Sequence, residues 1–206
     1  MSQRESGYER KERDLYETPE WVTEALLPHL PKRITHVWEP ACGSGKMVEV
    51  FMANGLIVSA SDIDSDWLKA TVPGQCAWRP FKEDFLMERD TSGHLYCVHQ
   101  GRGNQGAIIT NPPYELATEF CEHALRLTEA DQGLVAMLLR TDFDHAKSRT
   151  HLFRDCPAFA KKVVLMKRIA WFVEANGKPK ASPSFNHAWY IWDWQHEGPP
   201  TIGYGP

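Results

Sequence analysis

Four consecutive residues, Asn111-Pro112-Pro113-Tyr114, are the densest chemistry in this chain. They follow Ala107–Thr110, an apolar run that reads as a buried strand. Two successive prolines fix the backbone and remove two N–H donors. What remains is a rigid array of acceptors, the Asn111 side-chain oxygen and the Pro112 carbonyl. Such an array can hold an NH2 group by both hydrogens and present its nitrogen lone pair to an electrophile. Tyr114 adds a flat face for a ring to stack on. The same residues have plain structural uses, since Pro-Pro ends a strand and Asn caps a helix. Their placement favours chemistry, because open α/β sheets bind ligands at the carboxyl ends of their strands.

A second cluster lies upstream. Glu39-Pro40-Ala41-Cys42-Gly43-Ser44-Gly45 follows the apolar run Ile34–Trp38 and precedes a helix predicted near Met47–Asn54. Glycines in such a turn let the backbone pass close to a ligand, and the helix start can hold its polar groups. The turn is not a phosphate-cradling loop: Lys46 follows Gly45, but the preceding spacing is wrong and no Ser or Thr comes next. Asp62 stands about 20 residues further on, where doubly wound folds place an acid on a ribose hydroxyl. A helix-capping role shared with Asp64 and Asp66 is the other use of an acid there.

The elements that must position these residues can be read from periodicity. Thr18-Pro19-Glu20 opens a helix, with Thr18 as N-cap and Pro19 in the first helical position. Strands are predicted at Ile34–Trp38, Leu56–Ala60, Ala107–Thr110, Leu134–Leu139, Lys162–Lys167 and Ala188–Trp194, the last alternating and aromatic-rich. Leu116, Phe120, Ala124 and Leu127 recur at helical spacing over 115–127. Apolar strands alternating with helices argue for a parallel sheet covered on both faces. Asn176–Ser184 reads as a loop joining the last two strands.

With 206 residues, 42% hydrophobic and 24% charged, the chain has room for one well-buried core. No run approaches the ~20 apolar residues of a membrane span, and the charged N-terminus shows no secretory signal. Five scattered cysteines without CxxC spacing fit a reduced, cytoplasmic protein. The net charge of −4 conceals an asymmetry. Residues 1–139 carry 13 Lys/Arg against 21 Asp/Glu, whereas 140–180 carry 10 against 4. That basic segment is either a nucleic-acid footprint or a solvated face balancing an acidic half. His94, Cys97 and His99 near Glu88 match no standard metal spacing, so no metal is expected.

In this order, Glu-Pro-Ala-Cys-Gly-Ser-Gly, Asp62 and Asn-Pro-Pro-Tyr resemble the adenine-specific DNA amino-methyltransferases. Tyr16-Glu17-Thr18-Pro19 is similar to the N-terminal motif that closes over the methionine end of their cofactor. Asp84-Phe85 matches the position that contacts the cofactor's adenine. The likeness spans residues 16–194. It implies a Rossmann-like, seven-stranded, mostly parallel sheet with one reversed strand, the class I methyltransferase fold. It divides the chain into a mobile arm (1–15), one methyltransferase domain (16–197) and an irregular tail (198–206).

By the same resemblance the cofactor is S-adenosylmethionine, held by Tyr16, Thr18, Pro19, Glu39, Pro40, Ala41, Gly43, Gly45, Asp62, Ile63, Asp84, Phe85 and Asn111. Asn111, Pro112, Pro113 and Tyr114 would carry the transfer to the N6 amine of a flipped adenine in DNA, with Tyr114, Lys178, Lys180 and Phe185 on the substrate. The family's separable target-recognition domain has no room here, which leaves recognition to the basic stretch Lys147, Arg149, Arg154, Lys161, Lys162, Lys167 and Arg168 and to the loop with Lys178 and Lys180. The loop through Ser184-Phe185 also resembles compact phage adenine methyltransferases. The tetrapeptide equally serves enzymes that methylate RNA bases or the glutamine amide of release factors. Only some 30 residues precede the first strand, which argues against the latter.

Overall fold

The computed structural model describes residues 16–64, 81–95, 105–171 and 185–206. The arm predicted over 1–15 lies outside these residues, as do Lys178 and Lys180. Helices α1 (Glu20–Glu24), α2 (Lys46–Ala53) and α3 (Ala117–Glu129) accompany strands β1 (Ile34–Glu39), β2 (Ile57–Asp62), β3 (Phe81–Lys82), β4 (Gln105–Thr110), β5 (Leu134–Arg140), β6 (Phe159–Leu165), β7 (His187–Asp193) and β8 (Thr201–Gly205). The strands form one sheet in the order β3-β2-β1-β4-β5-β7-β6-β8, and β7 alone runs against its neighbours.

Successive residues of the central strands face opposite layers, so an apolar run fills two cores at once. Ile108, Val135, Met137, Leu139, Tyr190 and Trp192 pack with Phe120, Cys121 and Ala124 of α3. Their neighbours Ala107, Ile109, Leu134, Ala136, Leu138 and Trp189 pack with Val22 of α1 and Met47 and Phe51 of α2. Each fully buried Val, Leu, Ile, Met or Phe among them stabilises the fold by roughly 1.5–3 kcal/mol. The three fully buried indoles keep their N–H groups satisfied: Trp38 donates to the Ser61 hydroxyl, Trp189 to the Val22 carbonyl and Trp192 to that of Leu152.

Several expectations are corrected. The sheet has eight strands rather than seven, because Thr201–Gly205 in the supposedly irregular tail pairs in parallel with β6, from Lys161↔Thr201 to Leu165↔Gly205. Glycine is depleted in strands, which hid this one. Here Gly203 allows close approach: a Cβ on it would stand 2.8 Å from the His29 ring. Strand β7 is buried along all seven residues instead of alternating, since both faces are covered. Pro19, not Thr18, is the N-cap of α1; Thr18 makes no capping bond and is buried.

Candidate active site

Five strand ends converge on one edge of the sheet: Glu39 ends β1, Asp62 ends β2, Asn111 follows β4, Arg140 ends β5, and the reversed β7 begins at His187, opposite Arg140. The glycine turn is stitched to β2 by backbone bonds. Cys42 N–H donates to Ser61 O at 3.0 Å and Gly45 N–H to Cys42 O at 2.8 Å. Gly43 N–H donates to Asp62 Oδ2 at 2.8 Å, while Asp62 Oδ1 accepts from Asp64 N–H at 2.9 Å. Both carboxylate oxygens of Asp62 thus accept from backbone N–H groups and tie the end of β2 to the turn. Gly43 and Gly45 take φ of 49° and 85°, the left-handed region where a side chain is strained.

The ends of β1, β2 and β4 enclose a cavity. Its walls include Tyr16, Thr18, Glu39, Pro40, Ala41, Gly43, Asp62, Ile63, Asp84, Phe85, Asn111 and Pro113, bringing together most of the predicted site. Pro19 and Gly45 stand at the N-caps of α1 and α2 and do not line it; Pro112 is buried and Tyr114 lies beside it. The N-terminal segment forms one wall. Lys46 pairs with Glu17 at 2.8 Å, and Asn111 Nδ2 donates to Tyr16 O at 3.1 Å. Leu116 and Phe120, predicted only as a helix face, also line the cavity, as does Glu17. Since α3 starts just after the tetrapeptide, its first turn meets the ligand space as well as the core.

Two polar groups in the cavity wall stand out. With its amide nitrogen committed to Tyr16, Asn111 leaves Oδ1 buried without a hydrogen-bond partner among the described residues. A buried acceptor in this state costs roughly 1–3 kcal/mol, so its persistence points to a ligand donor. Glu39 is 2% exposed and its Oε2 is likewise unpartnered. Burial, and then the Asp62 carboxylate, push the Glu39 carboxyl well above the usual range. Cys42 is no nucleophile: burial first, then Glu39 and Asp62, push its thiol upward too.

Beside the cavity lies an aromatic cluster. Tyr16 and Tyr114 have ring centroids 5.7 Å apart, Tyr16 and Trp171 5.5 Å, and Tyr114 and Trp171 6.5 Å. His187 Nε2 sits 3.0 Å from the Tyr114 hydroxyl, and the Trp171 ring meets His187 edge-on at 5.2 Å. From the sequence alone His187 has no assigned role, and Trp171 reads either as a ring that could stack a base or, as is commoner for tryptophans, as core; it also packs against the α1/α2-side core. Their contacts with the tetrapeptide depend on sheet pairing, which leaves no local signal. Phe185 is at the same edge, beneath the Arg140 guanidinium at 4.1 Å.

Among the described residues, the basic segment is split between separate local partners. Lys162 pairs with Asp144 at 2.7 Å and Arg154 with Asp155 at 2.7 Å. Arg149 lies over Phe143, Lys167 over Trp21, and Arg168 bonds Asn186. Phe143 packs with the α3 core and Trp21 with the opposite core, so these charges are divided between the two faces. No group of His, Cys, Asp and Glu suited to a metal occurs among the described residues. His94 instead stacks on Trp38 and bonds Ser59 and Glu83; Cys97 and His99 lie outside the described residues. No described helix is long and apolar enough to cross a membrane.

No family model and no curated protein matches the chain. Solved structures do match. A candidate RNA methyltransferase from Pyrococcus horikoshii superposes with a TM-score of 0.60 at 13% identity, covering 88% of each chain. The methyltransferase subunit of a type I restriction-modification system from Streptococcus thermophilus gives 0.56 at 14% identity, covering 88% of this chain and 45% of that one. A candidate class I S-adenosylmethionine-dependent methyltransferase from Listeria monocytogenes gives 0.55 at 14% identity, covering 90% of this chain and 62% of that one. The chain thus spans about three-fifths of the Listeria protein and under half of the Streptococcus subunit. Its fold is that of the class I methyltransferases, with an eighth strand added.

Proposed function

We propose that the chain transfers a methyl group from S-adenosylmethionine to the exocyclic N6 amine of adenine in DNA. The observation that carries this reading is the buried, unpartnered Asn111 Oδ1, held facing a ligand cavity by the bond from its own amide nitrogen to Tyr16. The cavity fits the cofactor in sign as well as place. Glu17, Asp62, Asp64, Glu83 and Asp84 line it against Lys46, a field that favours a cation and disfavours the pyrophosphate of a dinucleotide. Tyr16, Thr18, Glu39, the turn Pro40–Gly45, Asp62, Ile63, Asp84 and Phe85 would hold the cofactor. When bound, S-adenosylmethionine supplies an electrophilic methyl on a positively charged sulfur.

The chain's own residues orient the amine. Asn111 Oδ1 and the Pro112 carbonyl accept its two hydrogens, and Tyr114 offers its ring to the base. Fixing the nitrogen in this way turns a bimolecular encounter into a positioned one, where most of the rate resides. Once methylated, the nitrogen passes one proton to water, so no strong base beside Asn111 is required. The methyltransferase unit is assigned to 16–197, with β8 added to it by pairing. Cys42, Cys121 and Cys156 are free thiols, which fits a reducing, cytoplasmic setting.

RNA is the second reading, favoured by the similar extent of the Pyrococcus chain, of which 88% is covered. Radiolabelled methyl offered with DNA, RNA and bulk protein separates these readings, with Asn111→Ala as control. Methyladenine in DNA, lost in the variant, is expected. Label confined to RNA or protein would keep the chemistry and replace the substrate, and absence of cofactor binding would sink the enzyme reading.

A further inference from the structure

Tyr114 opens a short 3-10 turn, Tyr114–Leu116, that lies outside both α3 and the sheet. Stacking a base demands a fixed direction of its ring. One restraint comes from 73 residues away. His187, at the start of β7, is 2% exposed and places Nε2 3.0 Å from the Tyr114 hydroxyl. Seven paired residues, Leu134↔Asp193 through Arg140↔His187, lock β7 to β5, so this anchor belongs to the rigid sheet. Trp171 closes the other side, its ring near-perpendicular to both Tyr114 (79°) and His187 (84°).

We propose that His187 is a positioning residue of the transfer site, holding Tyr114 by its hydroxyl, with Trp171 as the second wall, so that the Tyr114 ring keeps the plane on which the target base stacks. The inference rests on the reading of Asn111–Tyr114 as an amine-transfer centre. Chemistry at His187 itself is not needed. Burial and then Arg140 push the imidazole down to about 4, so it is neutral near pH 7 and a weak base. Neutral, it forms a bond to a phenol without placing a charge beside an aromatic pocket.

The test combines a spectroscopic readout on the free protein with kinetics. Tyr114→Phe removes one oxygen and keeps the ring; His187→Gln keeps a polar group on β7. In the cofactor-free protein, Tyr114→Phe should move the 15N resonance of His187 Nε2. It should also lower kcat roughly 3- to 10-fold, the scale of one hydrogen bond, and leave KM for S-adenosylmethionine unchanged. His187→Ala should lose a similar factor, His187→Gln should recover part of it, and neither should have a further effect in the Tyr114→Phe background.

An unmoved Nε2 resonance, or losses that add in the double variant, would overturn the proposal. If His187→Ala fails to fold, the two conservative variants decide, and wild-type kcat in Tyr114→Phe counts against it. A wild-type protein that binds cofactor yet labels no nucleic acid, while the resonance still moves, would sink the functional reading and leave the bond itself intact.

Discussion

Between β2 and β1 the ligand edge of the sheet is held by backbone groups, whereas between β4 and β7 it is held by side chains. On the first side, Cys42, Gly43 and Gly45 spend their amides on the Ser61 carbonyl, the Asp62 carboxylate and the Cys42 carbonyl, none more than 19 residues away. On the second, Asn111 reaches Tyr16 across 95 residues and Tyr114 reaches His187 across 73. The first side depends on backbone angles that glycine permits; the second depends on particular atoms at the ends of particular side chains. A cofactor site of the first kind should weaken gradually under substitution. A target site of the second kind should fail at single atoms.

The sharpest test of that contrast is Asn111→Ala. It removes the unpartnered Oδ1, and methyl transfer should fall roughly 10²- to 10³-fold, the scale for loss of one positioned polar partner in an active site. Cofactor affinity, measured by calorimetry, should change far less, because the glycine turn and Asp62 are untouched. Comparable losses in both quantities would erase the distinction between the two sides. Gly45→Ala probes the other side. A side chain at φ 85° costs about 1–2 kcal/mol, so cofactor affinity and thermal stability should drop together, affinity by roughly 10-fold. Trp171→Ala comes next, with a few-fold loss in kcat/KM for nucleic acid and none in cofactor binding. A cofactor effect there would merge the aromatic cluster with the cavity.

The same division explains what was legible in the sequence. The backbone-built side announces itself locally, since glycines at 43 and 45 and an acid at 62 mark a turn and the next strand end. Asn111–Tyr114 is also local, as prolines declare their own geometry. The partners that complete the second side are not. His187 and Trp171 reach Tyr114 only after β7 reverses and slots beside β5, a pairing that no short window contains. Phe185 and the basic stretch were legible as composition, yet the charges turn out to serve both faces through local partners such as Asp144 and Asp155. Strand β8 was hidden by its own glycines, the residues that let it approach His29.

Glu39 joins the two sides and yields the smallest predicted effect, with a distinctive sign. Its folded-state titration lies above its unfolded one because burial and Asp62 disfavour the charge. Stability from this group is therefore fully present below the unfolded value near 4.5 and is lost as pH rises through the folded value. Above that folded value the ionised, unpartnered carboxylate burdens the free protein, and there Glu39→Gln should raise Tm, by roughly 2–4 °C for each kcal/mol relieved in a domain of this size. At such pH the same substitution removes a negative charge from a cavity suited to a cation, so cofactor affinity should fall a few-fold. Binding by the wild type should weaken as pH is lowered through the Glu39 range, because the proton and the cation compete for one carboxylate. In Glu39→Gln that component of the pH dependence should vanish. A variant that both melts lower and binds as tightly would show that Glu39 supports the fold through its charge, and that the acidic wall does not serve the ligand.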